Sequence, residues 1–176
     1  MKLRLVALSF SCLVIGSLAG CSSAPEVKTL AYAQLRNEQT FETDFPAAWK
    51  AIESALRLTR VVSKTPAEVS PLELKKLSQR NLETDWIFSK SKSKYIEYQV
   101  NGFPRKTYLQ NRFKYQVSAE QVLGGVKVKT TVTEEVERLN AQGGSEGFST
   151  TGEPDPSLAN DLIEKISREL NSAPAI

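Results

Sequence analysis

The chain contains no histidine. An imidazole general base, an imidazole metal ligand and a histidine pH switch are therefore excluded, and with them most nucleophile-base hydrolase triads. Cysteine is nearly absent as well. Only Cys12 and Cys21 occur, so the chain beyond them has no thiol nucleophile, no disulfide and no soft metal site. No apolar run reaches the ~20 residues that a membrane-spanning helix needs. What is present is ordinary for a globular protein: 176 residues, 40% of them hydrophobic, 24% charged and 8% aromatic, with a mean hydropathy of −0.30. Such a length and composition fit one domain and need no disulfide.

Residues 1–20 carry Lys2 and Arg4, then an apolar stretch over 5–16, then small residues. This is the charge, apolar, small layout of an export signal. Leu18-Ala19-Gly20-Cys21 resembles the lipobox of bacterial lipoproteins. The resemblance implies a diacylglycerol on the Cys21 sulfur, cleavage before Cys21 and acylation of the new amine. A plain secretory signal with a chance cysteine, or a short buried helix, is the competing reading. One myristoyl-length chain binds a membrane only marginally and each buried methylene adds ~0.8 kcal/mol, so three chains would hold the protein permanently. By the same resemblance Ser22, with no Asp at that place, implies a bacterial outer-membrane, lipid-anchored location on the periplasmic face. Without Lys2 and Arg4 the chain keeps 21 basic and 20 acidic side chains, so no global charge favours nucleic acid.

Residues 21–37 are short, mixed and weakly periodic, which predicts a flexible tether behind the N-terminus whose lipidation the lipobox resemblance implies. Residues 38–172 then read as a single domain. Phe45, Trp49, Ile52, Leu56 and Thr59 form one stripe of an amphipathic helix over 45–59, with Pro46 at its start. Ser70-Pro71-Leu72-Glu73 is a capping box opening a short helix or turn over 71–79. Leu158, Leu162, Ile163, Ile166 and Leu170 stripe a final helix that Asp155 caps and Pro156 starts.

Between the helices the period is two. Leu82, Thr84, Trp86 and Phe88 alternate on one face of a predicted strand, and residues 95–100 alternate up to Asn101-Gly102, a hairpin signal. Pro104 argues for an edge or a bulge there. Leu109, Asn111, Phe113, Tyr115 and Val117 are predicted to face in, as are Val126, Val128, Thr130, Val132 and Val136, with Lys127, Lys129, Thr131, Thr133 and Glu135 facing water. Residues 140–156 are rich in Gly, Ser, Thr and Pro and read as a mobile loop. The fold class is α+β, an antiparallel sheet with an N-terminal and a long C-terminal helix on one face.

No coherent acid-base set is visible. Glu83 with Asp85, and Glu135 with Glu137, read as solvated strand faces, and Glu134 falls on an apolar face near a strand end, where it is expected to reach water. Gly143-Gly144-Ser145-Glu146-Gly147 lacks the Lys-Ser/Thr of a phosphate loop. The acids do not sit at calcium-loop offsets. No cofactor and no metal site is expected.

The informative asymmetry is positional. From 89 to 116 there are seven bases, Lys90, Lys92, Lys94, Arg105, Lys106, Arg112 and Lys114, against the single acid Glu97, with five Tyr or Phe side chains interleaved before Gln116 other than Phe113. Its bland reading is a solvated loop that protects a sheet edge. Its sharper reading is a docking strip for an acidic protein or anionic lipid headgroups. Single-stranded nucleic acid also suits bases among aromatics, but export and lipidation argue against it.

The Phe-Pro-x-x-Trp-x-x-Ile helix at 45–52, the Thr84-Asp85-Trp86 strand, the run Asn111-Arg112-Phe113-Lys114 with the Val strand after it, and the closing helix together resemble the helix-grip domains of BamC (NlpB) lipoproteins. That resemblance implies a non-enzymatic accessory or scaffold factor of the machinery that assembles outer-membrane β-barrel proteins, with components of that machinery as partners. The family resembles two grip domains behind a long segment that docks on a partner, whereas one domain and a short tether are read here. The alternative function is a helix-grip carrier holding an apolar or lipid ligand between helix and sheet.

Overall fold

Asp44 accepts a hydrogen bond from the Ala47 backbone N–H at 2.7 Å, satisfying one of the donors that open a helix. From it runs helix α1 (Phe45–Ala55), with Pro46 in the first turn and Phe45, Ala48, Trp49, Ala51 and Ile52 buried. This geometry comes from a computed structural model describing residues 23–31, 34–150 and 152–172. The export signal, the lipobox and Cys21 lie outside the described residues. Helix α1 ends four residues before the predicted Thr59. The Arg57 and Thr59 N–H groups reach back three residues, to Ser54 and Leu56, in a tightened last turn that buries Leu56 and leaves Leu58 in water.

Among the described residues eight strands form one curled, antiparallel sheet: β1 (Lys28–Thr29), β2 (Glu38–Phe41), β3 (Val61–Thr65), β4 (Gln79–Thr84), β5 (Ile87–Val100), β6 (Phe103–Val122), β7 (Gly125–Leu139) and β8 (Ser145–Ser149). Strand β6 is the spine. One of its edges carries β5 and then β4, end to end, and its other edge carries β7 from Asn111 to Val122. Beyond these lie β1 on β5, β3 on β4, and both β2 and β8 on β7. The fold is therefore α+β, with α1 and the terminal helix α3 (Pro156–Ser172) on one sheet face. Between them Trp49, Ile52, Val117, Val126, Val128, Leu162, Ile163 and Ile166 are almost wholly buried. The predicted inward sets of β6 and β7 are buried or half-buried as their alternation requires.

Four segments differ from the sequence reading. Within the expected tether, Lys28–Thr29 pairs with β5, opposite Tyr95 and Lys94, so the stretch free of the sheet before it is shorter than sixteen residues. The strand expected over 82–88 is broken: Glu83 opposes Gln116 while Ile87 opposes Phe113, one extra residue against β6. That bulge reverses the alternation. Leu82, Thr84 and Ile87 face the helices, while Trp86 is only half-buried and Phe88 is 66% exposed. The Lys90 to Lys94 run, read as a loop, lies inside β5 and contains a larger bulge, four residues facing the single Leu109. The loop expected over 140–156 contains β8, which returns along β7 after Asn140 Oδ1 accepts from the Gln142 and Gly144 N–H groups. The capping box forms as expected, with Ser70 and Glu73 bonded both ways, but α2 (Pro71–Leu74) is a single turn because Gln79 already begins β4.

Candidate functional site

The seven bases do not form one strip; the two bulges distribute them over three environments. On the outer face of the sheet, Phe88 stands opposite Arg112, and Arg112 opposite Glu135. The Arg112 guanidinium bonds Glu135 at 2.6 Å and lies 4.6 Å from the Trp86 ring and 5.1 Å from the Phe148 ring. Lys114 pairs with Glu83 and approaches the same indole at 5.6 Å. Phe88 meets Phe148 edge to face, centroids 5.9 Å apart. This is a cation-aromatic layer whose charges are matched by carboxylates. Lys90, exposed, faces outward beside it, opposite Gln110.

The second environment is interior. Lys94 is 1% exposed, and its ammonium donates to Glu134 at 2.8 Å and to the Glu153 carbonyl at 3.0 Å. Glu134 also accepts from Asn111 Nδ2 at 2.7 Å and from the Asp155 N–H at 2.9 Å. Glu134 thus stays dry rather than reaching water, contrary to its expected position, because the β5 bulge turns Lys94 inward to meet it. Two desolvated charges on β5 and β7 tie the sheet to the start of α3. Beside them a pocket of about 270 Å³ opens, lined by Thr29, Leu30, Ala31, Ser93 and residues 153–156. Lys92, one pleat earlier, reaches Asp161 on α3 at 3.1 Å.

The third environment is the distal hairpin. Past the bulge, β5 and β6 pair residue by residue from Tyr95–Tyr108 to Val100–Phe103 around Asn101 and Gly102, both at positive φ as their turn requires. This arm extends beyond β7, which first meets β6 at Asn111. Pro104 lies opposite Gln99 on a stretch of β6 that β7 does not cover, so its missing N–H leaves no β7 acceptor unpaired. Tyr98, Val100 and Phe103 are 45%, 43% and 68% exposed. Arg105 is exposed opposite Tyr98, and the Lys106 ammonium lies 4.4 Å from the Tyr95 ring.

The carboxylates read as solvated pairs are individually engaged: Glu83 with Lys114, Asp85 with Arg60 at 3.3 Å, and Glu137 with the Gln110 N–H at 3.3 Å. Neither of the two prominent concavities is lined by Trp49, Trp86 or Phe113. The larger, about 350 Å³, is a polar trough across the outer face, lined by Ser63, Thr65, Asn81, Glu83, Gln116, Ser118 and Thr131 among others. Sequence reasoning missed the Lys94–Glu134 pair and the aromatic layer. The signal for the first was a carboxylate on an apolar strand face, which needs a cation. Comparison of the chain with protein-family models and with curated proteins returns no match.

Proposed function

We propose that this chain is a non-enzymatic lipoprotein, anchored through Cys21 at the periplasmic face of the outer membrane, that serves as an accessory or scaffold factor in β-barrel assembly. The observation that carries the reading is where the large side chains go. Helices and sheet close on Trp49, Ile52, Ile163 and Ile166, each at most 1% exposed, while Phe88 is displayed on the outer sheet face and Tyr98, Val100 and Phe103 on the distal hairpin. A filled interior with an exposed aromatic arm suits work done at the surface. The two helices over an antiparallel sheet are compatible with a BamC-like helix-grip domain, and neither of the two concavities described above is lined by Trp49 or Phe113, which favours the scaffold over the carrier.

Cells lacking the protein supply the test. Folded, heat-modifiable barrel proteins in their outer membranes should fall, and crosslinks from Phe88 or Phe103 should recover barrel-assembly components. Unchanged barrel levels, with a co-purifying lipid in the delipidated domain, would move the assignment to the carrier.

A further inference from the structure

Strand β1 fixes where the N-terminus leaves the domain. Lys28 stands opposite Tyr95 and Thr29 opposite Lys94 in antiparallel register, and the Leu30 N–H donates to the Ser93 carbonyl at 2.8 Å. Because β5 runs toward the Asn101-Gly102 turn and β1 is antiparallel to it, the chain enters β1 at Lys28 from the side of that turn. An ion pair between Lys28 and Glu97, one pleat nearer the tip, holds it in that lane. Seven residue steps separate Cys21 from Lys28, a reach of at most about 25 Å. The five steps from Tyr95 to Val100 take up about 17 Å of strand in the same direction. The opposite end of the molecule, the Leu123-Gly124 turn, lies about 60 Å away along β6.

The arm's chemistry matches that placement. Cross-strand partners share a face, so Ile96 with Thr107, Tyr98 with Arg105 and Val100 with Phe103 make one surface without an acidic group. Phenylalanine and valine at its end, a tyrosine one pleat back and an arginine beside it reproduce the layering of a membrane-interface element: apolar tip, amphipathic ring, cation at phosphate depth.

We propose that the β5–β6 hairpin tip contacts the bilayer that holds the Cys21 lipid, with Val100 and Phe103 entering the boundary between headgroups and acyl chains and Arg105 binding lipid phosphate. The proposal rests on the lipid-anchor reading. Even fully stretched, the leader reaches only about 8 Å past the tip, so the tip is the part of the fold nearest lipid. A membrane contact at this end also presents the outer aromatic layer sideways, parallel to the surface, where a second protein can reach it.

The experiment uses the mature lipidated chain, in which Cys21 is blocked and no other thiol remains, reconstituted in vesicles of phosphatidylethanolamine and phosphatidylglycerol. A spin label at Gln99→Cys reports the tip and one at Leu123→Cys the far end. Reconstitution should shift the tip label toward oxygen and away from a water-soluble nickel complex, with no shift at Leu123. Val100→Ser with Phe103→Ser should abolish that shift while leaving vesicle retention and the melting curve unchanged. A tip label that stays as water-accessible as Leu123, on protein that remains with the vesicles, overturns the proposal and leaves the anchor standing; the tip is then free for a protein or a second copy. Mass spectrometry of the mature chain that finds no lipid on Cys21 overturns the anchor reading itself.

Discussion

Trp49 is the residue on which the helical layer turns: it stacks on Phe45 with centroids 6.5 Å apart, and the Arg80 guanidinium covers its other side at 4.5 Å. Trp49→Ala should lower the unfolding free energy by about 3–5 kcal/mol, read from a urea titration, and a loss under about 1 kcal/mol would mean the site refills. The Lys94–Glu134 pair makes a sharper prediction, because a buried ion pair penalises the loss of one partner more than the loss of both. Lys94→Met alone should cost about 3–5 kcal/mol, whereas Lys94→Met with Glu134→Gln, which removes the unpaired charge and keeps an acceptor for the Asn111 and Asp155 donors, should recover much of that. Equal losses in single and double variants would show that the pair itself stabilises the fold. Tyr115 adds a pH dependence. Burial pushes its phenol up from 10 to about 12, and Asp161 adds to this. The folded state holds this proton more tightly than the unfolded one, so the contribution is complete below pH 10 and is lost as pH rises through about 12. That window should cost about 2–3 kcal/mol, and Tyr115→Phe should flatten it in a comparison of the two alkaline titrations.

At the scale of elements, what could be read from the sequence was what repeats. Phe45, Trp49, Ile52 and Leu56, or Leu158, Leu162, Ile163 and Ile166, recur at helical spacing because one core covers them all, and β6 and β7 alternate because one face of the sheet is wet. The bulges were invisible for an equally physical reason. An extra residue between Glu83 and Ile87 changes which side Trp86 faces, yet Trp86 and Ile87 are both apolar and neither residue type marks the change. The burial of Lys94 depends on Glu134, forty residues later, and on excess chain in β5 that only the pairing with β6 reveals. Strands β1 and β8 are too short, or too rich in Gly and Ser, to carry a period of their own. They exist because β5 and β7 offer open edges. The basic strip was therefore a true feature of composition but not of space. Its members part into an outer layer, where Arg112 and Lys114 are matched by Glu135 and Glu83, a buried pair, and a hairpin tip, where Arg105 stands beside exposed apolar side chains.

Over the whole molecule the two proposed membrane contacts, the Cys21 lipid and the hairpin tip, would have unequal strength. Among the described residues no helix is long and apolar enough to cross a bilayer. The hairpin offers Val100 and Phe103, already part-covered, for transfer worth about 1.5–3 kcal/mol each at most. Set against the ~10⁴ M⁻¹ of a single myristoyl chain, which binds only reversibly, that is enough to orient a tethered domain and too little to retain a free one. Cys21→Ala, exported and freed of residues 1–20, should therefore melt like wild type, because the core that holds Trp49, Ile52, Ile163 and Ile166 is built from residues between Phe41 and Leu170. It should leave the membrane fraction in a high-salt wash while the wild type stays. Fractionation and a melting curve check both halves. Retention of Cys21→Ala through the wash would transfer the anchoring role from the lipid to the folded domain, and the hairpin's apolar face, with Arg105 weakened by the salt, would have to supply far more binding energy than two side chains can give.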